Sequence, residues 1–311
     1  MTPRPEIRRL DAALGAEVRG ADPREPLDAA AQRALAAALH AHRLLLFRGE
    51  PRPDAALVAF AERFGSVVTL YDHETTVPGF REIVRVSNLE QDGRPIGLAG
   101  NQELPWHHDH SYLERPAKES FLEAVEVPPA RGPETCFVDM AAALAALPVE
   151  LRRRIAGRRC VHHVDERGYS GGEPETGDRF AARRVRSVYG DATNALAQQR
   201  IAAQRASHPM AVRHPESGVA ALYVSPLATH AVEGLEPGES RDLLAELFLR
   251  ALCPERIYTH TWQPGDLVVF DTIATLHRRD AFDPAARRFM KQLSTHCREP
   301  LAPADARDLG V

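Results

Sequence analysis

The run Trp106-His107-His108-Asp109-His110 is the sharpest chemical feature of the chain. On a strand, side chains alternate between faces, so His107 and Asp109 share one face and His108 and His110 the other. An imidazole and a carboxylate two residues apart can hold one metal ion between them and leave the third ligand to come from elsewhere. Spacing alone leaves His108 and His110 open as the alternative pair, and an isolated His-x-Asp also occurs as an ordinary polar loop. A second feature lies at 263–277. There Gln263-Pro264-Gly265-Asp266 reads as a tight turn and Leu267-Val268-Val269-Phe270 as a buried strand. Asp271 follows, then His277, and Arg287-Arg288 come ten residues later.

Two histidines and one carboxylate on one face of a metal make the ligand set of non-haem iron(II) oxygenases, with three positions open for a co-substrate and dioxygen. Zinc hydrolases also use His and carboxylate ligands with one open position, so the set alone does not choose between them. No thiol competes. Cys136, Cys160, Cys253 and Cys297 are scattered and form no Cys-x-x-Cys pair. That argues against a zinc ribbon, a thioredoxin-type site or a disulfide scaffold and suggests a reducing compartment.

The elements that must position these residues follow from the pattern. Asp28 stands at the N-cap of an Ala/Leu-rich helix over 29–42, which leads into the buried strand Leu44–Phe47. Asp54 is expected to cap a helix over 55–64 with Gly65 at its left-handed C-terminus. A strand follows at 82–87, then short β-like runs at 119–127, 220–224, 256–262, 266–271 and 288–296. Between them come helices capped by Asp139, over 149–156, and over 241–252 with Ser240 as cap. Short strands separated by turns indicate a sandwich or jelly roll rather than a parallel sheet. The Gly/Arg/Ala-rich stretch 166–200 reads as a surface excursion or lid.

With 311 residues, 44% apolar and 26% charged, the chain can bury a large core, and disorder is excluded as its main state. Lys and Arg number 39 against 43 Asp and Glu, so no basic excess points to nucleic acid. No apolar run approaches the roughly 18 residues of a membrane span, and Met1–Arg9 lacks the apolar core of a signal peptide. A cytoplasmic protein, without membrane or nucleic-acid partners, is the expectation.

The chain resembles the taurine dioxygenase and 2,4-dichlorophenoxyacetate dioxygenase (TauD/TfdA) family from about residue 7 to about residue 297. The matching pieces come in order. They include Leu14-Gly15-Ala16-Glu17-Val18, Leu45-Leu46-Phe47-Arg48, Phe64-Gly65 and Trp106-His107-His108-Asp109. Thr135, His208-Pro209 and Ala221-Leu222-Tyr223-Val224 follow, then Trp262-Gln263-Pro264-Gly265-Asp266, Asp271, His277 and Arg287-Arg288. The resemblance implies a mainly β fold with flanking helices, a double-stranded β-helix of the cupin-like, clavaminate synthase-like kind. It implies one domain over 1–311 with the N-terminal helices against one sheet. It further implies Fe(II), with 2-oxoglutarate and O2 as co-substrates, in a dioxygenase that oxidises a C–H bond of a small molecule. By position, His107, Asp109 and His277 match the iron ligands, and Thr135 and Arg288 match the pair gripping the distal carboxylate of 2-oxoglutarate. Family members form dimers and tetramers, which leaves room for a homo-oligomer.

Two departures narrow the substrate. Where taurine enzymes carry an Arg against the sulfonate, this chain has Gln292, and where a His assists, it has Val68. Taurine is therefore not the expected substrate. Asp109 argues against halogenation, because the related halogenases replace that carboxylate by a small residue. Tyr71, His73, Asn101, Tyr112, Arg213 and Gln292 are the candidates to meet substrate, with loops 66–80, 88–105 and 166–200 around them. Arg278 and Arg279 can meet an anion or pair with Asp280 and Asp283. An amino-acid-like or carboxylate substrate of specialised metabolism is the leading expectation. The alternatives are catabolic cleavage of a heteroatom–carbon bond, or desaturation or decarboxylation on the same scaffold. A zinc hydrolase and a non-catalytic binding protein stand further off.

Overall fold

A computed structural model describes residues 4–71, 74–128, 133–164 and 204–311. Its larger sheet has nine strands. They run in the order β1 (Glu6–Arg9), β2 (Ala16–Arg19), β3 (Leu44–Phe47), β18 (Leu267–Asp271), β10 (Ala117–Glu126), β20 (Phe289–His296), β5 (Phe80–Ser87), β4 (Thr76–Val77), with β8 (Leu98–Ala99) also on β5. The smaller sheet runs β17 (Ile257–His260), β11 (Thr135–Asp139), β19 (Thr275–Arg279), β9 (Leu104–His107). Two three-stranded sheets flank it. In one, β12 (Arg159–His162) lies between β13 (Ala206–Pro209) and β16 (Thr229–Val232). In the other, β14 (Ala211–Arg213) lies between β15 (Ala220–Leu222) and β21 (Ala302–Pro303). The hairpin β6 (Glu90–Gln91) and β7 (Arg94–Pro95) stands apart. This is the double-stranded β-helix with helices outside. No helix among the described residues is long and apolar enough to cross a membrane.

The uniform apolarity of Leu44-Leu45-Leu46-Phe47 has a physical cause: β3 is buried on both faces. Leu44 and Leu46 face the interior of the roll with Val268, Phe270, Leu122, Met290 and Phe137 of the opposite sheet. Leu45 and Phe47 face outward, with Leu267, Val269, Phe121 and Leu293, against the N-terminal helices. Those helices are α1 (Ala29–His42) and α2 (Asp54–Ala61), which bury Leu35, Leu39, Leu57 and Phe60 on that face. The outer face of the smaller sheet, Cys136, Val138 and Leu276, packs against α3 (Met140–Ala145), α4 (Val149–Ile155) and the helix Pro237–Ala251. The inner face of that sheet is left with Thr135, Phe137, His277 and Arg279. The alternation of two strands thus puts the chemistry inside.

Several caps follow the sequence and several do not. Asp28 accepts from the N–H groups of Ala30 and Ala31, and Asp139 from those of Ala141 and Ala142, as expected. Asp54 is instead the first residue of α2, whose N-cap is Pro53, and makes no cap bond. Its carboxylate meets Lys291 Nζ at 2.7 Å, a long-range ion pair that replaces the local one. α2 ends at Ala61, and Gly65 is not left-handed. What Gly65 supplies is room: a Cβ there would lie 3.3 Å from Thr295 Cβ. Ser240 lies inside its helix, which starts earlier at Pro237 because proline is preset for a first turn. The Ser240 hydroxyl accepts from the N–H of Val232 instead, at 2.8 Å.

The turn before β18 shows why glycine stands at 265. Its φ is +86°, and a Cβ would fall 1.7 Å from the carbonyl oxygen of Gly49. Asp266, next to it, accepts two bonds from Arg48 at 2.8 and 2.6 Å and tethers β3 to β18. Gly265→Ala adds strain to backbone collision and is expected to cost about 3 kcal/mol or more. A fall of that amount in the unfolding free energy from urea titration checks it, and an unchanged midpoint contradicts the close approach.

Candidate active site

β9 ends on His107, and His277 of β19 is its direct cross-strand partner. Their rings lie 4.0 Å apart between centroids. Asp109 comes after the strand, so its place is not set by strand alternation, contrary to the expectation. Thr272 sets it: its Oγ1 accepts from the Asp109 N–H at 3.0 Å, and its carbonyl lies 2.8 Å from His108 Nδ1. His110 then turns with φ +53°. The result brings Asp109 Oδ1 to 3.6 Å from His107 Nε2 and 3.8 Å from His277 Nε2. All three donor atoms lie within 4.8 Å of one another. His108 and His110, the alternative pair, are outside this cluster. The His108 ring stacks on Tyr223 at 4.2 Å, and His110 Nε2 meets the Tyr71 hydroxyl at 2.9 Å.

The surroundings fit these three side chains to a cation. His107 Nδ1 lies 2.7 Å from the carbonyl of Pro105. A carbonyl only accepts, so Nδ1 carries a hydrogen and Nε2 is the nitrogen left facing the cluster as the ligating atom. Burial, together with the neighbouring His107, pushes the His277 pKa down to about 3 and keeps that ring in the neutral, ligating form. Asp109 Oδ2 accepts from Ser120 Oγ at 2.5 Å and from Gln292 Nε2 at 3.0 Å. Burial pulls the Asp109 pKa up, but His277, His107, His110 and the Ser120 bond outweigh it and hold the carboxyl below its usual range. The donor set is nitrogen and oxygen only.

In the same cavity lies a cation with no counter-ion among the described residues. Arg288 is 2% exposed, and its Nε and Nη1 have no partner among the described residues. Asn88 fixes its backbone, accepting from the Arg288 N–H at 3.0 Å while donating to the carbonyls of Pro284 and Ala286. A buried guanidinium without an acid is costly and points to an anionic ligand. Thr135 lines the same cavity. Its Oγ1 accepts from Trp262 Nε1 at 2.9 Å, which leaves its own O–H free to donate.

The cavity holding these groups encloses about 930 Å³, part of it open to solvent. Val84, Val86, Leu98, Leu104, Leu122 and Leu227 give it an apolar wall. Of the substrate candidates, Tyr71, Tyr112 and Gln292 line it, but Asn101 and Arg213 do not. Asn101 donates to the carbonyl of Phe282 at 3.2 Å, and Arg213 is paired with Asp305 and Asp308 at 3.0 and 2.6 Å. Both serve to fasten loops. His73 and the stretch 166–200 lie outside the described residues. Arg278 and Arg279 part company: Arg278 pairs with Asp280 and sits over Trp106, whereas Arg279 turns into the cavity. Ser120, Thr272, Asn88 and the indole of Trp262 were not assigned roles from sequence. Ser120 stands in a strand that also carries Lys118, Glu119 and Glu123, so its sequence neighbours do not single it out. A second group of potential ligands, His40, Glu119 and Glu216, already has its cation in Lys118, whose Nζ bonds Glu216 and lies 3.2 Å from Glu119.

Comparison with known proteins covers most of the chain. The model of the family described as taurine catabolism dioxygenase TauD, TfdA family, matches residues 6–294. Pentalenolactone F synthase of Streptomyces arenae is 37% identical over 94% of this chain and 95% of its own length. The alpha-ketoglutarate-dependent 2,4-dichlorophenoxyacetate dioxygenase of Cupriavidus pinatubonensis is 33% identical over 92% of this chain and 96% of its own. Among solved structures, a taurine dioxygenase from Burkholderia xenovorans superposes with a TM-score of 0.75 at 27% identity, covering 97% of this chain and 92% of that one.

Proposed function

The chain belongs to the TauD, TfdA family and is an iron(II)- and 2-oxoglutarate-dependent non-haem dioxygenase acting on a small organic substrate, and from that premise we propose that His107, Asp109 and His277 hold the iron while Thr135 and Arg288 receive the distal carboxylate of 2-oxoglutarate. One observation carries the assignment: three metal-donor side chains converge in the cavity that also holds a buried guanidinium with no acidic partner among the described residues. Iron(II) bound with the keto acid supplies the dioxygen activation that oxidises a substrate C–H bond. The chain supplies the rest. Pro105 orients the His107 ring, Ser120 and Gln292 orient the Asp109 carboxylate, and Trp262 turns the Thr135 hydroxyl outward as a donor. Arg288 offers a planar fork to a carboxylate. A zinc hydrolase would have no use for that fork.

The primary substrate has an apolar body, matched to the aliphatic wall, and a polar end that meets Tyr71, His110 and Tyr112. Asp109 is the one acidic side chain among the described residues that line the cavity. Among the described residues an ammonium group therefore finds no free carboxylate there, which favours a neutral or carboxylate substrate over an amino acid. Gln292 donates its amide to Asp109 and adds no positive charge for a sulfonate. The four free cysteines support the cytoplasm as its compartment.

Anaerobic addition of iron(II) and 2-oxoglutarate is expected to give the weak visible charge-transfer band of a keto acid on iron(II). A screen read by succinate release then sorts the substrates. Compounds of the pentalenolactone series and apolar carboxylates such as 2,4-dichlorophenoxyacetate should stimulate release, and taurine should not. Turnover of taurine at the rate of a dedicated taurine enzyme would remove the specificity argument.

A further inference from the structure

The cavity contains two buried arginines where the family pattern assigns one. Arg279 is 2% exposed and stands two residues beyond His277 on β19, so both side chains share the inner face. Its cross-strand partner is Thr135, and residues directly opposite on antiparallel strands project to the same side. Its Nη2 donates to the carbonyl of Ala99 at 2.7 Å and to that of Gln102, and its guanidinium lies 5.0 Å from the Phe282 ring. These contacts fix the plane of the group. They leave Nε and Nη1 buried with no partner among the described residues, the same condition as in Arg288. Both arginines line one cavity, and Arg279 adds to burial in lowering the Arg288 pKa.

Two like charges held together without an acid are unfavourable unless an anion completes the set. The position of Arg279 says which anion. It is in register with Thr135 and lines the same cavity as Thr135 and Arg288. A carboxylate has two oxygens and about four lone-pair sites, enough for one hydroxyl, one guanidinium fork and a single N–H from a second guanidinium. We propose that Arg279 is a second cation on the distal carboxylate of 2-oxoglutarate, so that Thr135, Arg279 and Arg288 form a two-arginine seat. This rests on the co-substrate assignment above.

The test compares 2-oxoglutarate with 2-oxopentanoate, which keeps the keto acid and replaces the distal carboxylate by a methyl group. Both are titrated calorimetrically into the anaerobic iron(II)-loaded wild type, Arg279→Met and Arg288→Ala. Arg279→Met should weaken 2-oxoglutarate by roughly ten- to a hundred-fold, the range for a charge-assisted bond, and leave 2-oxopentanoate unchanged. Arg288→Ala should still prefer 2-oxoglutarate by about ten-fold, because Arg279 remains. Should Arg279→Met fail to fold, the Arg288→Ala arm decides alone. Equal affinities of the two keto acids in Arg288→Ala overturn the proposal. So does a parallel loss of both ligands in Arg279→Met, which would mark a structural role. An unchanged 2-oxoglutarate affinity with a raised KM for the primary substrate would assign the arginine to that substrate. A wild type that binds 2-oxoglutarate without the charge-transfer band refutes the underlying site assignment instead.

Discussion

Asp109→Ala is expected to abolish substrate-linked succinate formation, by at least ~10³-fold, because loss of even an outer hydrogen-bond partner at a metal site costs about 10–100-fold. The substitution removes the one negative donor of the cluster. It also leaves Ser120 Oγ and Gln292 Nε2 facing a void where they now donate at 2.5 and 3.0 Å. Asp109→Asn is the sharper companion. It keeps volume but swaps charge for an amide, and it sets one donor against another at Gln292. Iron content after anaerobic reconstitution separates loss of metal from loss of turnover. Near-native succinate release in Asp109→Ala would strike the carboxylate from the ligand set.

The second large effect belongs to Arg288. Arg288→Ala removes a charge-assisted carboxylate contact worth about 1.5–3 kcal/mol, which corresponds to a roughly 10–150-fold higher apparent KM for 2-oxoglutarate. At saturating 2-oxoglutarate, kcat should be largely kept, since the iron ligands are untouched. The variant should also fold. The Arg288 bonds to Asn88 and Ser87 run through its backbone and survive the change. An unaltered KM would mean that the buried guanidinium serves something other than the co-substrate.

The sequence made the cluster of His107, Asp109 and His277 legible because its three members lie in two short, recognisable runs. The physical reason for their convergence was not legible. Alternation along a strand pairs His107 with Asp109 on paper, yet β9 stops at His107, and the carboxylate is placed by Thr272, 163 residues away. Contacts of that range leave no periodicity to read. Asn88 is a similar case: it holds the backbone of Arg288 from 200 residues away. The strands were readable where burial on both faces made them uniformly apolar, as in Leu44–Phe47. The caps were readable where Asp meets its own helix, as at 28 and 139, and misread at 54, where distant Lys291 took the side chain, and at 240, where the nearby Val232 N–H took it. Arg213 and Asn101 were drawn toward the substrate by residue type alone, and ion pairs and loop fastening claim them instead. Arg279 could be flagged as an arginine near an anion, but its burial and its register with Thr135 belong to the folded sheet.

The two bonds to Asp109 Oδ2 have a consequence for coordination geometry. With that oxygen occupied by Ser120 and Gln292, the carboxylate can offer a cation Oδ1 alone. Its denticity is thereby set at one, and a six-coordinate iron would keep three sites for exchangeable ligands. A keto acid would take two and dioxygen one. Gln292, which stands where taurine enzymes place an arginine, thus helps keep the carboxylate from closing over the position that the oxidant needs.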